Sequence, residues 1–240
     1  MYDGLSVGAV IPARDEADNI GAVVAELLDL RTDDGQRVID DLVVCDNGSA
    51  DGTAERARAA GARVAVERTP GYGRACLAAI AALRPVDVVL FVDGDQSCEI
   101  GQALDLLRAV AAGADLAIGS RALGRREPGA LTPPQIAGNR VASLLIRMLW
   151  GRRITDLGPF RAIRSDALRR VDMRDTAYGW TVEMQIKAIQ SRLRLVEVPV
   201  NSRRRRFGRS KVGGTARGVI GASIGILGMI LKLRRRGAAS

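Results

Sequence analysis

Val86-Asp87-Val88-Val89-Leu90-Phe91-Val92-Asp93-Gly94-Asp95-Gln96-Ser97 is a nearly continuous apolar run that stops at two carboxylates one residue apart. An alternating strand would face water on one side. A run apolar at almost every position is what a parallel strand needs when helices cover both faces of its sheet. The abrupt change at Asp93 puts charge at the strand's carboxyl end, which is where open α/β sheets bind their ligands.

Upstream of this run, Ser6–Ile11 reads as a strand closed by Pro12, and Asn19–Leu30 as a helix with Ile20, Val23, Val24, Leu27 and Leu28 on one face. Leu42–Cys45 is a second strand, and Gly52 to Ala60 a helix capped by Asp51 or Thr53. A third strand, Arg63–Val66, and an alanine-rich helix, Arg74–Leu83, lead into the central run. Beyond it come a helix near Glu99–Ala111 and a strand at Asp115–Ile118. This β-α-β-α order predicts a Rossmann-like, doubly wound α/β sheet, mostly parallel. Polar clusters close the strands at Pro12–Glu16, Asp46–Asp51, Asp93–Ser97 and Ser120-Arg121, and such a sheet brings them to one rim. Gly119–Gln135 reads as a loop, Gly138–Trp150 and Trp180–Ser191 as helices, and Phe160–Arg164 and Leu193–Pro199 as strands.

Composition narrows the chemistry. The chain has 240 residues, 47% of them apolar, 26% charged and 3% aromatic, and no histidine. That excludes a disordered chain. It also excludes a Ser-His-Asp triad, a Cys-His pair and an H-E-x-x-H metal site. No G-x-x-x-x-G-K-[ST] sequence occurs, so P-loop chemistry is excluded too. Cys45, Cys76 and Cys98 are odd in number and lack C-x-x-C spacing, as reduced thiols would. The first residues show no basic region followed by a long apolar run, so no signal peptide is expected. The net charge is +9, yet residues 201–240 hold 11 Lys/Arg and no Asp or Glu, so the whole excess is in the tail. A basic tail beside an apolar segment, with few aromatics to stack on bases, points to an anionic membrane surface and not to nucleic acid.

Three clusters carry chemistry. Asp93 and Asp95 can face one cation, with Gly94 allowing the bend between them, and oxygen-only ligands suit Mg²⁺ or Mn²⁺. A solvated Asp-Gly turn is the alternative. Asp46-Asn47-Gly48-Ser49-Ala50-Asp51-Gly52-Thr53 can accept hydrogen bonds from a base edge and let a nucleotide approach, or serve as an ordinary capped loop. Gly71-Tyr72-Gly73-Arg74-Ala75-Cys76 lacks the third glycine of a dinucleotide fingerprint and follows the wrong strand, though Arg74 could meet phosphate.

Together these segments resemble family 2 glycosyltransferases of the GT-A fold, and among them the polyprenyl-phosphate (dolichyl-phosphate) mannosyl- and glucosyltransferases. From Val7 to Gly214 the matching motifs follow in family order. Val10–Glu16 resembles V-x-I-P-x-x-N-E, with Asp15 for Asn, and Val44–Thr53 resembles V-D-D-G-S-x-D-G-T. Gly71–Ala75 resembles G-K-G-x-A, Asp93–Asp95 the D-x-D motif, and Asp115–Arg121 D-x-V-I-G-S-R. Asp156–Ala162 resembles D-x-x-S-G-F-R-A, and Arg205–Lys211 R-x-x-G-E-S-K.

The resemblance implies a metal-dependent, inverting transfer of a hexose from a nucleotide sugar, GDP-mannose or UDP-glucose, to a polyprenyl phosphate. By position it implies that Pro12, Ala13, Glu16 and Asp46 line the nucleoside pocket, with Gly73 and Gly94 also at the donor. Asp93 and Asp95 would hold Mg²⁺ or Mn²⁺, with Ser97 or Gln96 as third ligand. Arg121, Arg205 and Lys211 would contact the donor diphosphate or the lipid-phosphate acceptor, with Asp156 at the reacting centre and Glu183 near the sugar. A phosphate acceptor is already anionic and needs no strong base, whereas a hydroxyl acceptor would need one, with Asp156 the best candidate. A family 2 transferase with a hydroxyl acceptor, or a nucleotide-sugar-binding protein without turnover, are the competing readings.

The tail divides the chain into a transferase domain, 1–212, and an apolar basic helix, 213–240. Gly218–Leu231 is an uncharged run of 14 residues, too short to span a bilayer of ~30 Å. Ile220, Ile224, Leu227 and Leu231 form one stripe, and Gly218, Gly221, Ala222 and Gly225 a face of small residues. This predicts a helix lying in the cytoplasmic interface, peripherally associated with the inner face of the cell membrane. Docking of the glycine face on the domain, or on a second copy in a homo-oligomer, is the competing arrangement.

Overall fold

A computed structural model describes residues 1–208 and 216–237. Seven strands form one sheet: β1 (Val7–Ala13), β2 (Asp41–Asp46), β3 (Arg63–Val66), β4 (Val88–Phe91), β5 (Leu116–Ser120), β6 (Arg161–Arg164) and β7 (Leu195–Pro199). They lie in the order β3-β2-β1-β4-β6-β5-β7. Every neighbouring pair is parallel except those of β6, which runs antiparallel between β4 and β5. The central β4 is fully buried, as its unbroken apolar run requires.

Helices cover both faces. On one, α1 (Ala17–Leu28), α2 (Thr53–Ala59) and α4 (Ala103–Ala111) bury Ile20, Val24, Leu27, Ala57, Leu106 and Val110 against Val7, Ala9 and Ile11 of β1. On the other, α3 (Tyr72–Ala82), α6 (Ser165–Val171) and α7 (Trp180–Gln190) pack on Val10 and Phe91, with the Trp180 and Phe91 rings 6.3 Å apart. The change of face between Ala9, Val10 and Ile11 is the two-residue period of a strand.

A third cluster joins α7 to α5 (Pro133–Trp150) and α8 (Ala216–Gly237) through Ala142, Ile146, Val182, Ile186, Met229, Ile230 and Leu233. Helix α7 is therefore apolar on two sides, with Trp180 and Met184 to the sheet and Val182 and Ile186 to its neighbours. The small-residue face of α8 docks on the turn before α7. A Cβ on Gly225 would lie 3.4 Å from Tyr178 Cβ, and one on Gly221 3.7 Å from the Tyr178 ring. No helix of the described residues is long and apolar enough to cross a membrane.

Two elements differ from the sequence reading. Helix α5 begins at Pro133, not Gly138, because Thr132 and Gln135 form a capping box and the two prolines fill the first helical positions, where no N–H is needed. The short α6 has no counterpart in the sequence pattern, because its seven residues hold too little periodicity to stand out.

Candidate active site

The strand-end clusters come together at the carboxyl rim as a cleft of about 980 Å³. The first two clusters are knitted to each other. The Asp15 amide donates to Ser49 Oγ at 2.9 Å, the Ala50 amide to Asp15 Oδ1 at 2.8 Å, and the Glu16 amide to Thr53 Oγ1 at 2.8 Å. A left-handed Asp15, φ 47°, makes the sharp exit from β1. Asn47 fastens the next loop. Its Nδ2 donates to the carbonyls of Glu67 and Thr69, and its Oδ1 accepts from the Gly71 amide at 2.8 Å. Pro12, Ala13, Glu16, Asn47 and Gly71 thus form one wall. Asp46 accepts from the Ser49 amide at 3.1 Å and is not on that wall.

Asp93, Gly94, Asp95 and Ser97 line the floor. A Cβ on Gly94 would lie 3.3 Å from both Ile11 and Ile20, so the tripeptide is seated directly on the core. Asp93 Oδ1 accepts from Tyr72 Oη at 3.1 Å, and Asp95 Oδ1 accepts from the Ser97 amide at 3.0 Å. Gln96 takes the left-handed conformation, φ 59°, and its Oε1 is buried without a partner. Burial, and then the neighbouring Asp95, push Asp93 up to about 7. Two neighbouring carboxylates attract positive charge. The Asp95 Oδ2 atom accepts from Arg205 Nη2 at 3.1 Å, a guanidinium standing where a metal cation would be attracted. Among the described residues no cluster of three or more Cys, Asp and Glu could hold an ion alone. The pair nevertheless fits Mg²⁺ or Mn²⁺, which take one or two carboxylates and complete their shell with substrate phosphates and water.

Across the floor lies Arg121 at the end of β5. Its Nε and Nη2 grip Asp156 at 2.7 and 2.8 Å, and its backbone amide adds a third bond to the same carboxylate at 2.8 Å. Burial opposes the Arg121 charge, and the pairing with Asp156 outweighs it, raising its pKa. Asp156 itself is 2% exposed and not on the cleft wall. Its two oxygens are engaged, and its backbone is fixed separately by Glu197 and Gln185. The structure therefore puts Asp156 behind Arg121. It holds the guanidinium in place, and both of its oxygens are taken up by Arg121.

Glu183 is likewise buried away from the cleft. It accepts from the Arg174 and Asp175 amides and pairs with Lys187 at 2.7 Å, which fixes the turn leading to Ala177 and Tyr178 on the wall. Gly73 also stands off the wall. A Cβ there would collide with the Asp175 backbone, so the glycine lets α3 meet that turn. Arg74 does not reach the cleft. Arg205 does, and Lys211 lies outside the described residues.

Several wall residues are not among the candidate site residues of the sequence. Tyr72, Tyr178, Leu131, Thr132 and Gln135 all face the cleft. The last two form the capping box that starts α5, so the Thr-x-x-Gln spacing was the available signal. Nothing in the sequence marks which way Tyr72 or Tyr178 points.

A mostly parallel sheet, with paired aspartates at its central strand and arginines facing them, defines an α/β protein with a charged cleft at its carboxyl rim. The chain belongs to Glycosyl transferase family 2, which its sequence matches over residues 9–172, and it is a glycosyltransferase. It is 35% identical over 221 residues, 90% of this chain and 94% of the relative, to an uncharacterised glycosyltransferase of Mycobacterium tuberculosis. It is 30% identical over 236 residues, 92% and 91%, to the undecaprenyl-phosphate mannosyltransferase of Micrococcus luteus. Among solved structures, glucosyl-3-phosphoglycerate synthase of Mycobacterium tuberculosis, in complex with Mn²⁺, uridine diphosphate and phosphoglyceric acid, superposes with a TM-score of 0.76 at 22% identity over 96% of this chain and 79% of that one. The last comparison speaks for the fold, GT-A as the resemblance implied.

Proposed function

We propose that this glycosyltransferase moves a hexose, with inversion, from a nucleoside diphosphate sugar to a polyprenyl phosphate. The observation that carries the reading is the cleft itself. One wall is built of strand-end loops with little side chain, the floor carries Asp93 and Asp95, and Arg121, Arg204, Arg205 and Arg206 face it. The likeness to the Micrococcus luteus enzyme supports the acceptor class.

The Asp15-Ser49 and Asn47 networks hold the nucleoside wall rigid, so little ordering is left to be done when a base binds. Asp93 and Asp95 would hold Mg²⁺ or Mn²⁺, which supplies electrostatic stabilisation of the departing diphosphate. Arg121, locked by Asp156, presents its charge to developing phosphate charge without reorganising. Among the described residues the carboxylates lining the cleft are Glu16, which pairs with Arg205, and Asp93 and Asp95, which would hold the ion, so none is left to deprotonate a hydroxyl. A phosphate monoester, already an anion, needs no such base.

The lipid reading has its own surface. Outside the third cluster, α5 exposes Val141, Leu144 and Met148, and α8 exposes Ile224, Leu227 and Leu231. Neither helix contains Asp or Glu, while Arg140, Arg147, Lys232, Arg234 and Arg235 lie along them. An apolar face bordered by cations suits the anionic inner leaflet, where the acceptor's phosphate would enter the cleft beside Leu131 and Tyr178.

The test is a radiolabelled-donor assay with GDP-mannose and with UDP-glucose, polyprenyl phosphate in detergent, and Mg²⁺ or Mn²⁺. Label should pass into the organic phase, and EDTA should stop it. Label remaining in an aqueous glycan would replace the lipid acceptor with a hydroxyl one. Donor binding with no transfer to any acceptor would leave a nucleotide-sugar-binding role.

A further inference from the structure

Arg205 does more than line the cleft. Its Nη1 and Nη2 donate to the two Glu16 oxygens at 2.9 and 2.8 Å, and Nη2 also donates to Asp95 Oδ2 at 3.1 Å. One guanidinium therefore bridges the nucleoside wall and the floor, with its side chain 17% exposed. The planar fork suits this double duty, since it can give a bidentate pair to one carboxylate and still reach a second.

The segment that carries Arg205 is pinned at both ends. Upstream, the Ser202 amide donates to the Arg125 carbonyl at 2.9 Å and the Arg203 amide to the Ser97 carbonyl at 2.8 Å, two residues from Asp95. The Arg203 side chain pairs with Glu99 at 3.3 Å, and the Arg204 amide donates to Glu127 at 2.8 Å. Downstream, the Phe207 carbonyl accepts from Asn19 Nδ2, on α1, at 3.3 Å. Residues 202–207 thus cross the cleft as a strap from the floor loop to α1, with Arg205 pointing inward. Phe207 stays 46% exposed at the outer end, under the Arg206 guanidinium 5.7 Å from its ring.

We propose that Arg205 competes with the metal for Asp95. When no metal is bound, its guanidinium neutralises that carboxylate and keeps the strap drawn in. A metal ion that arrives with a nucleoside diphosphate displaces Arg205, and a phosphate oxygen becomes its new partner in place of Asp95. A metal ion alone offers Arg205 no such exchange, because one cation then faces another. Metal and nucleotide affinities are therefore coupled through this side chain, each improving the other. This inference rests on the donor and metal reading given above.

The experiment measures Mn²⁺ affinity of the full chain without nucleotide, by titration calorimetry or by electron paramagnetic resonance of free Mn²⁺. Arg205→Gln should bind Mn²⁺ alone about tenfold more tightly than the wild type, the loss of roughly one charge-assisted hydrogen bond. Arg125→Gln removes an exposed charge beside the strap that does not line the cleft and should change the value less than twofold. Arg205→Lys keeps the charge without the fork and should fall between. Amide exchange over residues 203–207 should quicken in Arg205→Gln, a readout independent of metal. Equal Mn²⁺ affinity in Arg205→Gln and wild type, with Asp95→Asn unable to bind Mn²⁺, overturns the competition and leaves the metal site standing. Wild-type Mn²⁺ binding by Asp95→Asn overturns the metal site, and the competition with it.

Discussion

Replacing Asp156 with Asn separates a positioning carboxylate from a reacting one. The substitution keeps the shape of the side chain but removes its charge. It also turns one of two acceptor oxygens toward Arg121 as an NH₂ donor, so that two donors meet. Asp156 is 2% exposed and takes three hydrogen bonds from Arg121, while Arg121 is 23% exposed and can swing toward water in the cleft. Removing one member of a fully buried pair costs about 3–5 kcal/mol, and the partial exposure of Arg121 reduces this to about 2–3 kcal/mol. In a chain of this size that lowers the melting temperature by roughly 5–10 °C. Urea unfolding followed by circular dichroism gives the stability term. Steady-state kinetics against pH gives the role, because a freed Arg121 should raise the donor KM and lower kcat while leaving the acid limb of the pH profile in place. An Asp156→Asn protein of wild-type stability whose acid limb has vanished would refute the reasoning and make Asp156 a general base.

Asp95→Asn should abolish Mn²⁺-dependent transfer while shifting the melting temperature by less than about 4 °C, since relief of the like charge on Asp93 offsets the weakened pair with Arg205; a larger drop in a thermal scan counts against this. Gly73→Ala should destabilise by about 2 kcal/mol or more, because its methyl would meet the Asp175 carbonyl carbon at 2.8 Å, as denaturant titration would read. Cys45 and Cys76 are buried and burial raises both thiols, Cys45 to about 12, so a thiol reagent at pH 8 should label them only after unfolding. Leu144→Glu with Ile224→Glu should lower co-sedimentation with anionic vesicles severalfold and leave the melting temperature unchanged, both side chains being over half exposed.

The order and identity of most strands were legible because β1, β2 and β4 are written almost wholly in apolar, often β-branched residues and each ends in a polar turn. The convergence of those turns followed from the parallel topology alone. What sequence could not supply was direction at the level of single side chains. Asp156 and Glu183 stand in the expected segments, yet both turn inward to hold Arg121 and the 174–175 turn, a choice made by partners 35 and 9 residues away. Asn47 takes the wall in place of its neighbour Asp46 because its amide can donate and accept at once, which fastening the 67–71 loop demands. The antiparallel β6 had no local signature. Its pairing with β4 and β5 is decided by register across the sheet, and it is what brings the Gly158–Phe160 segment to the rim at the beginning of a strand and not at its end.

The seat of α8 on Tyr178 has a practical consequence. A chain trimmed after residue 215 would lose the partners that cover Val182 and Ile186, and would also free Tyr178 on the face where Gly221 and Gly225 now abut it. The basic tail thus serves as a buttress for the cleft, and shortening it to gain solubility would loosen the very side of the enzyme through which an acceptor would come.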